Sequence, residues 1–295
     1  MPFIKTISDA TGNTVNLFYE DLGIGNPVVF IHGWPLNHEM WEYQLSELPM
    51  HNMRCIAYDR RGFGKSDRPL KNYDYDTLAD DLKSVLDQLE LTKVTLVGFS
   101  MGGGEIARYI GKYGTERIEK VVLISSVTPY RLKTDDNPEG ADKSDFDETV
   151  QKISEDRPAF LTAFGKKFYG VDIFSQPVSQ PLLDWNQSLC MMSSAVATMD
   201  CVRSFSETDF RKDVLKIKVP TLIIHGDADK IVPVTASNRT AALLPHATYI
   251  VYEGAPHGLF ITEKERLNAD LIHFIGIKDA NGKASKQEHT YQNAL

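Results

Sequence analysis

Ser100, Asp229 and His257 are the residues whose types and surroundings can do chemistry together. A serine hydroxyl is a weak nucleophile at neutral pH; it needs a base to take its proton and an acid to orient that base. Ser100 sits in Gly98-Phe99-Ser100-Met101-Gly102, between the apolar run Val94-Thr95-Leu96-Val97 and the helix-like stretch Glu105-Ile106-Ala107-Arg108-Tyr109-Ile110. A G-x-S-x-G match between a strand and a helix is a nucleophile elbow. Both glycines are required, because strand and helix approach so closely that side chains two residues either side of the serine would clash. A helix that begins at the serine also turns its N–H groups and positive dipole end toward developing negative charge.

The order serine, then acid, then histidine is completed downstream. His257 lies in Glu253-Gly254-Ala255-Pro256-His257-Gly258, a Gly/Pro-bounded loop after the last apolar run. Among the other histidines, His225 falls inside a strand, His273 in a helix and His289 in a polar tail. His38, His51 and His246 occupy surface or boundary positions, and His32 braces the turn before Gly33. For the acid, Asp227 abuts Gly226 and can cap its own turn. Asp229 lies farther along the loop and is preferred, because its carboxylate can reach across to the histidine. Two N–H donors must hold an oxyanion; Met101, after the nucleophile, and Trp34, in His32-Gly33-Trp34-Pro35, are placed to supply them. Pro35 restricts the backbone of Trp34 and so constrains where its carbonyl points.

These residues need a scaffold that gathers distant loops. Residues 3–8 and 14–20 alternate apolar and polar side chains and predict an opening hairpin. The run at 27–31 is continuously apolar, as a strand buried on both faces is, and the stretches at 53–58, 94–99, 120–125, 219–226 and 247–252 also read as strands. Helices are expected at 38–48, 75–91, 100–113, 235–244 and from 262. Alternating strands and helices predict a mostly parallel sheet covered on both faces, with the reactive loops on one edge. Asp80 and Asp81 read as the solvated face of the 75–91 helix. Residues 130–145 read as a charged linker, and from Phe146 to about Phe210 the pattern is helical, with Phe160, Phe164 and Phe168 spaced by four. The expected organisation is a core of residues 1–128 and 212–278, a helical cap insertion at 129–211 and a polar tail at 279–295. Most of the cap's apolar stripes are internal packing. An insertion there lies over the C-terminal ends of the strands, so some of its Phe, Met and Trp side chains should line an acyl pocket.

The chain of 295 residues carries 32 basic and 40 acidic side chains, a net charge of −8, which argues against nucleic acid or an anionic membrane as partner. No apolar run approaches the ~18 residues that span a bilayer, and the N-terminus lacks a signal-peptide pattern. Cys55, Cys190 and Cys201 form no C-x-x-C pair, which fits a reducing, cytoplasmic setting. Gly64-Lys65-Ser66 ends like a phosphate loop, but position 59, where a glycine is needed, is Asp. His38-Glu39-Met40-Trp41-Glu42 lacks the second histidine of a zinc site, and no G-x-G-x-x-G fingerprint occurs. No metal and no cofactor is therefore expected.

The blocks VVFIHGWP, YDRRGFGKSD, TLVGFSMGGGEIARYI, TLIIHGDADKIVP and EGAPHG, spread over residues 3–276, resemble the α/β-hydrolase superfamily. Within it they are most similar to the cofactor-free haloperoxidase, perhydrolase and aryl esterase branch. The resemblance implies that the acid is Asp229, four residues before Pro233. It also implies hydrolysis of short-chain or aryl esters through an acyl-serine, with hydrogen peroxide able to replace water, and a homo-oligomer (dimer, trimer or hexamer). Dehalogenase and epoxide hydrolase chemistry is disfavoured because the elbow carries Ser, not Asp. Lactonase or amidase activity stays open, as does a ligand receptor of this fold with negligible turnover.

Overall fold

The structure is a computed structural model that describes residues 2–6 and 12–276. The expected tail at 279–295, His289, and the far end of the first strand lie outside the described residues. Eight strands form one sheet: β1 (Phe3–Thr6), β2 (Val15–Leu22), β3 (Asn26–Ile31), β4 (Met53–Tyr58), β5 (Val94–Phe99), β6 (Ile118–Ile124), β7 (Thr221–Gly226) and β8 (Thr248–Tyr252). Their spatial order is β1-β2-β4-β3-β5-β6-β7-β8. The first two strands pair antiparallel, as does β2 with β4, and every later pairing is parallel.

The apolar runs in the middle of the sheet follow from burial on both sides, whereas β8, at the edge, leaves Thr248 and Val251 exposed. Val29, Ile31, Ile56, Leu96, Leu123 and Ile223 enter one core, while the alternate residues Val28, Phe30, Val97, Phe99, Ile124 and Ile224 enter the other. The first core is closed by the longer helices α2 (Tyr75–Gln88) and α3 (Met101–Tyr113), after the single turn α1 (Glu42–Leu45). Asp74 caps α2 by accepting from the Thr77 N–H at 2.9 Å, and Leu78, Leu82 and Val85 supply its buried stripe.

Between β6 and β7 the chain is helical: α4 (Lys143–Phe168), α5 (Gln180–Met191), α6 (Ala195–Glu207) and the turn α7 (Arg211–Val214). Helix α4 breaks at Asp156, whose backbone is non-helical and whose side chain caps Ala159 N–H at 2.9 Å; Pro158 then stands in the first turn of the second half, where its missing N–H costs nothing. The chain ends its described part with α8 (Thr235–Leu243), α9 (Leu259–Thr262) and α10 (Lys264–Gly276).

Four local expectations are corrected. The predicted helix at 38–48 is a 3-10 turn (His38–Trp41), the short α1 and a second 3-10 turn (Leu48–His51). His38 is buried, bonded through Nδ1 to Asp59 Oδ1 at 2.7 Å, because the turn folds inward beneath the Asp59 loop. Segment 130–145 is more than a linker: Leu132 bridges Ala141, and buried Asn137 donates to Leu132 O at 2.6 Å. Asp81 is also not solvated, for Arg61 Nε and Nη2 each donate to its carboxylate at 2.6 Å and both side chains are buried. Charge patterning alone does not distinguish a solvated carboxylate from one whose guanidinium arrives from twenty residues away.

Breaking one member of such a buried pair leaves a desolvated charge, which costs about 3–5 kcal/mol. Arg61→Met is therefore expected to lower the urea midpoint strongly. The double variant Arg61→Met/Asp81→Leu should recover most of the loss, because it leaves no orphan charge.

Candidate active site

Parallel strands deliver their C-terminal ends, and the loops that follow, to one edge of the sheet. The loops after β3, β5, β7 and β8 hold Trp34, Ser100, Asp229 and His257. Ser100 has φ +53° and ψ −114°, a conformation that costs an L-residue free energy and that its surroundings must hold in place. Its backbone is fixed on both sides: Ser100 N–H donates to Ile124 O at 2.8 Å, and its carbonyl accepts from Gly103 and Val127. A Cβ on Gly98 would stand 2.7 Å from the Gly102 carbonyl carbon and from Ile106 Cδ1, and one on Gly102 would strike the Ile31 carbonyl. The glycine requirement read from the motif therefore has identifiable atoms behind it.

The three side chains come together although 157 residues separate serine from histidine. His257 Nε2 lies 3.0 Å from Ser100 Oγ, and His257 Nδ1 lies 2.5 Å from Asp229 Oδ2. Asp229 is buried, and its Oδ1 accepts from Ile231 N–H at 2.8 Å and Val232 N–H at 2.9 Å. Burial alone would raise its pKa. The charge of His257, together with hydrogen bonds from His225 and His257, overcomes that and holds the carboxyl well below its ordinary range. An ionised Asp229 accepts from Nδ1–H of His257, which leaves Nε2 with a lone pair toward the serine hydroxyl. The imidazole packs between Phe99, in a tilted contact, and Phe168, edge-on, at centroid distances of 4.8 and 4.9 Å.

Asp227 is not at this site. Its Oδ1 accepts from Gly254 N–H at 2.6 Å, which ties the Asp229 loop to the His257 loop. The backbone N–H groups of Trp34 and Met101 have no acceptor among the described residues, so both remain available to a ligand oxygen. The Trp34 side chain has a separate duty. Its Nε1 donates to Thr198 O at 2.9 Å, and its ring meets Phe160, Phe164 and Phe205.

Beneath the Trp34 loop lies a buried polar network that sequence reasoning found only at His32. That histidine contacts Gly33 O through Nδ1 at 2.9 Å and accepts from Arg60 N–H through Nε2. Burial first, and then the Arg60 charge, push its pKa well down, so the ring is neutral. Arg60 continues to His32 O and to Glu105, which also receives the Tyr58 hydroxyl. The available signals were a charged pair, Arg60-Arg61, straight after a buried strand, and Glu105 among the buried residues of the elbow helix. The second partner of Asp229 was also missed: His225 Nε2 stands 3.2 Å from Oδ2, with its Nδ1 on Ser237 Oγ at 2.6 Å.

Ser100 and His257 open into a cavity of about 580 Å³. Its apolar wall is Trp34, Phe146, Phe160, Phe164 and Phe205. The expected contribution of the insertion's phenylalanines is thus present, but the tryptophan is Trp34 from the loop after β3; the insertion's own Trp185 packs elsewhere, and no methionine of the inserted helices lines the cavity. Met199 packs in the core instead, and Met192 Sδ faces Asn37. Among the described residues no group of three or more His, Cys, Asp or Glu side chains is arranged to hold a metal.

A strained serine at a strand–helix junction, an imidazole and a buried carboxylate on one sheet edge define a class of hydrolase scaffold. Residues 26–264 match the alpha/beta hydrolase fold family, and the chain belongs to it. It is 41% identical over 268 residues to a non-heme chloroperoxidase of Kitasatospora aureofaciens, covering 90% of this chain and 98% of that protein. It is 38% identical over 271 residues to a bifunctional esterase/perhydrolase of Acinetobacter calcoaceticus, again covering 90% and 98%. The crystal structure of a bromoperoxidase from Bacillus anthracis superposes with a TM-score of 0.89 at 44% identity, over 94% of this chain and 100% of that one.

The depressed Asp229 pKa has a signed consequence. An Asp is half-protonated near ~3.9 when unfolded, and the folded value is lower. The carboxylate thus contributes stability in full above the unfolded value, and loses it as pH falls toward and through the folded one. Asp229→Asn should therefore be less stable than wild type at pH 7, with the gap in urea midpoint narrowing as the pH is taken below 4.

Proposed function

We propose that this protein is a carboxylic ester hydrolase that works through an acyl-serine and also transfers the acyl group to hydrogen peroxide. The observation that carries the reading is the continuous contact from Ser100 Oγ through His257 to buried Asp229, at 3.0 and 2.5 Å. His257 Nε2 takes the Ser100 proton as Oγ attacks the ester carbonyl, and Asp229 stabilises the imidazolium that results. The N–H groups of Trp34 and Met101 receive the oxyanion; one such donor typically stabilises the transition state by about 3 kcal/mol. Collapse of the tetrahedral intermediate expels the alkoxide, which takes the proton from His257. Water, deprotonated by His257, then attacks the acyl-serine, and the proton returns to Ser100 Oγ as the acid leaves.

Hydrogen peroxide in place of water follows the same proton path and releases a peracid. The peracid can then oxidise halide in solution, being reduced to the acid as it does so. Two things support this branch. The relatives named above are called a chloroperoxidase and an esterase/perhydrolase. In addition, the Trp34 carbonyl, restricted by Pro35, accepts no hydrogen bond among the described residues and is free to receive one from peroxide. The substrate is a small ester, and the inserted helices between β6 and β7 act as the cap that shapes its pocket. Cys55, Cys190 and Cys201 are all buried and unpaired, which supports a cytoplasmic setting; no described helix is long and apolar enough to cross a membrane.

Ser100→Ala is expected to lower kcat for p-nitrophenyl acetate by about 10⁴-fold or more. Turnover within tenfold of wild type would remove Ser100 from the reaction. Pro35→Leu is expected to reduce the yield of peracetic acid relative to acetate at fixed peroxide, and an unchanged ratio would count against the peroxide role of the Trp34 carbonyl.

A further inference from the structure

One guanidinium in the cavity has no ion pair among the described residues. Arg131, just beyond β6, lines the same cavity as Ser100 and His257. Its Nη2 donates to Ile231 O at 3.0 Å, and its Nε is buried with no partner. No carboxylate among the described residues lies within ion-pair distance of it. Asp229, the nearest acidic loop residue in sequence to Ile231, is already engaged by two histidines and two backbone N–H groups.

The rest of the cavity repeats that imbalance. Lys152, Lys167 and Lys230 also line it, against one acid, Asp145. Lys152 is answered by Glu148 at 2.7 Å and Lys230 by Asp172 at 3.8 Å, both outside the lining, whereas Lys167 has no ion pair among the described residues. A chain of net charge −8 does not produce a cationic cavity through its composition. Burial pushes Arg131 down to about 10, with Asp229 opposing the shift and Arg239 adding to it, so the group is cationic at neutral pH and under-compensated. Such a charge, with a donor left over, is a receptor for a carboxylate.

We propose that the preferred substrates are esters bearing a second, free carboxylate, such as half-esters of dicarboxylic acids, with Arg131 binding that carboxylate while the aromatic wall takes the hydrocarbon between. This deepens the esterase reading and rests on it.

The test compares esters matched in length and differing in charge. Mono-p-nitrophenyl glutarate against p-nitrophenyl valerate places the carboxylate on the acyl side; 4-acetoxybenzoate against 4-methylphenyl acetate places it on the leaving group. kcat/KM is measured for wild type, Arg131→Met and Arg131→Lys, with thermal melting to verify folding. In at least one pair, Arg131→Met should lower the anionic-to-neutral ratio by about 10- to 100-fold, the range set by one hydrogen bond to a charged group, and Arg131→Lys should retain part of it. If Arg131→Met depresses both members of each pair equally, or leaves both ratios unchanged, Arg131 only holds the Ile231 loop and the inference is overturned. Failure of wild type to turn over any of the four esters would sink the esterase reading itself, and this inference with it. Turnover with an Arg131-independent ratio would sink this inference alone.

Discussion

Everything at the site depends on how closely β5 and α3 meet at Ser100. The serine is held at positive φ by hydrogen bonds to β6 and the following loop, while Gly98 and Gly102 leave room for the Ile31 carbonyl and the Ile106 side chain. The strain is local, and the sheet on either side is fully buried, so the structure can carry it. In return the hydroxyl stands above the sheet edge, at the N-terminus of a helix, where negative charge is favoured. The Ser100–His257 contact holds because both loops hang from strands of one hydrogen-bonded sheet.

Around that point the molecule spends buried polar groups on position. Asp229 has every oxygen occupied, and its hydrogen bonds span its own loop, the loop of His257 and the end of β7. Asp227, outside the reacting group, joins the same two loops by a single bond to Gly254. On the opposite side, His32, Arg60, Glu105 and Tyr58 form a network under the loop that bears Trp34. These contacts restrict the imidazole and the available N–H groups to a narrow range, which is the condition for electrostatic stabilisation without reorganisation.

The inserted helices play a different part. Through Trp34 they are fastened to the core, and through Phe146, Phe160, Phe164 and Phe205 they give the cavity an apolar wall. Arg131 and the lysines then give that wall a cationic border. The loops at the sheet edge thus carry Ser100, Asp229 and His257, while the cavity they open into is walled by the insertion together with core loops.

The sequence by itself determined the strands, the elbow and the chain order of Ser100, Asp229 and His257. Those signals are local: β-branched runs buried on two faces, glycines flanking a serine, a histidine in a Gly/Pro loop. It did not reveal that Asp81 and His38 are buried, that Asn137 anchors a structured segment, or that His225 shares Asp229. Each of those depends on a partner that arrives from another strand or loop, and a one-dimensional pattern cannot distinguish a charge facing water from one facing a guanidinium. The cavity was legible only as an expectation of aromatic lining; which rings reach it, and that Arg131 does so with no ion pair among the described residues, was decided by how the inserted helices cross the sheet edge, since side-chain direction in space is set by packing between elements and not by spacing within one.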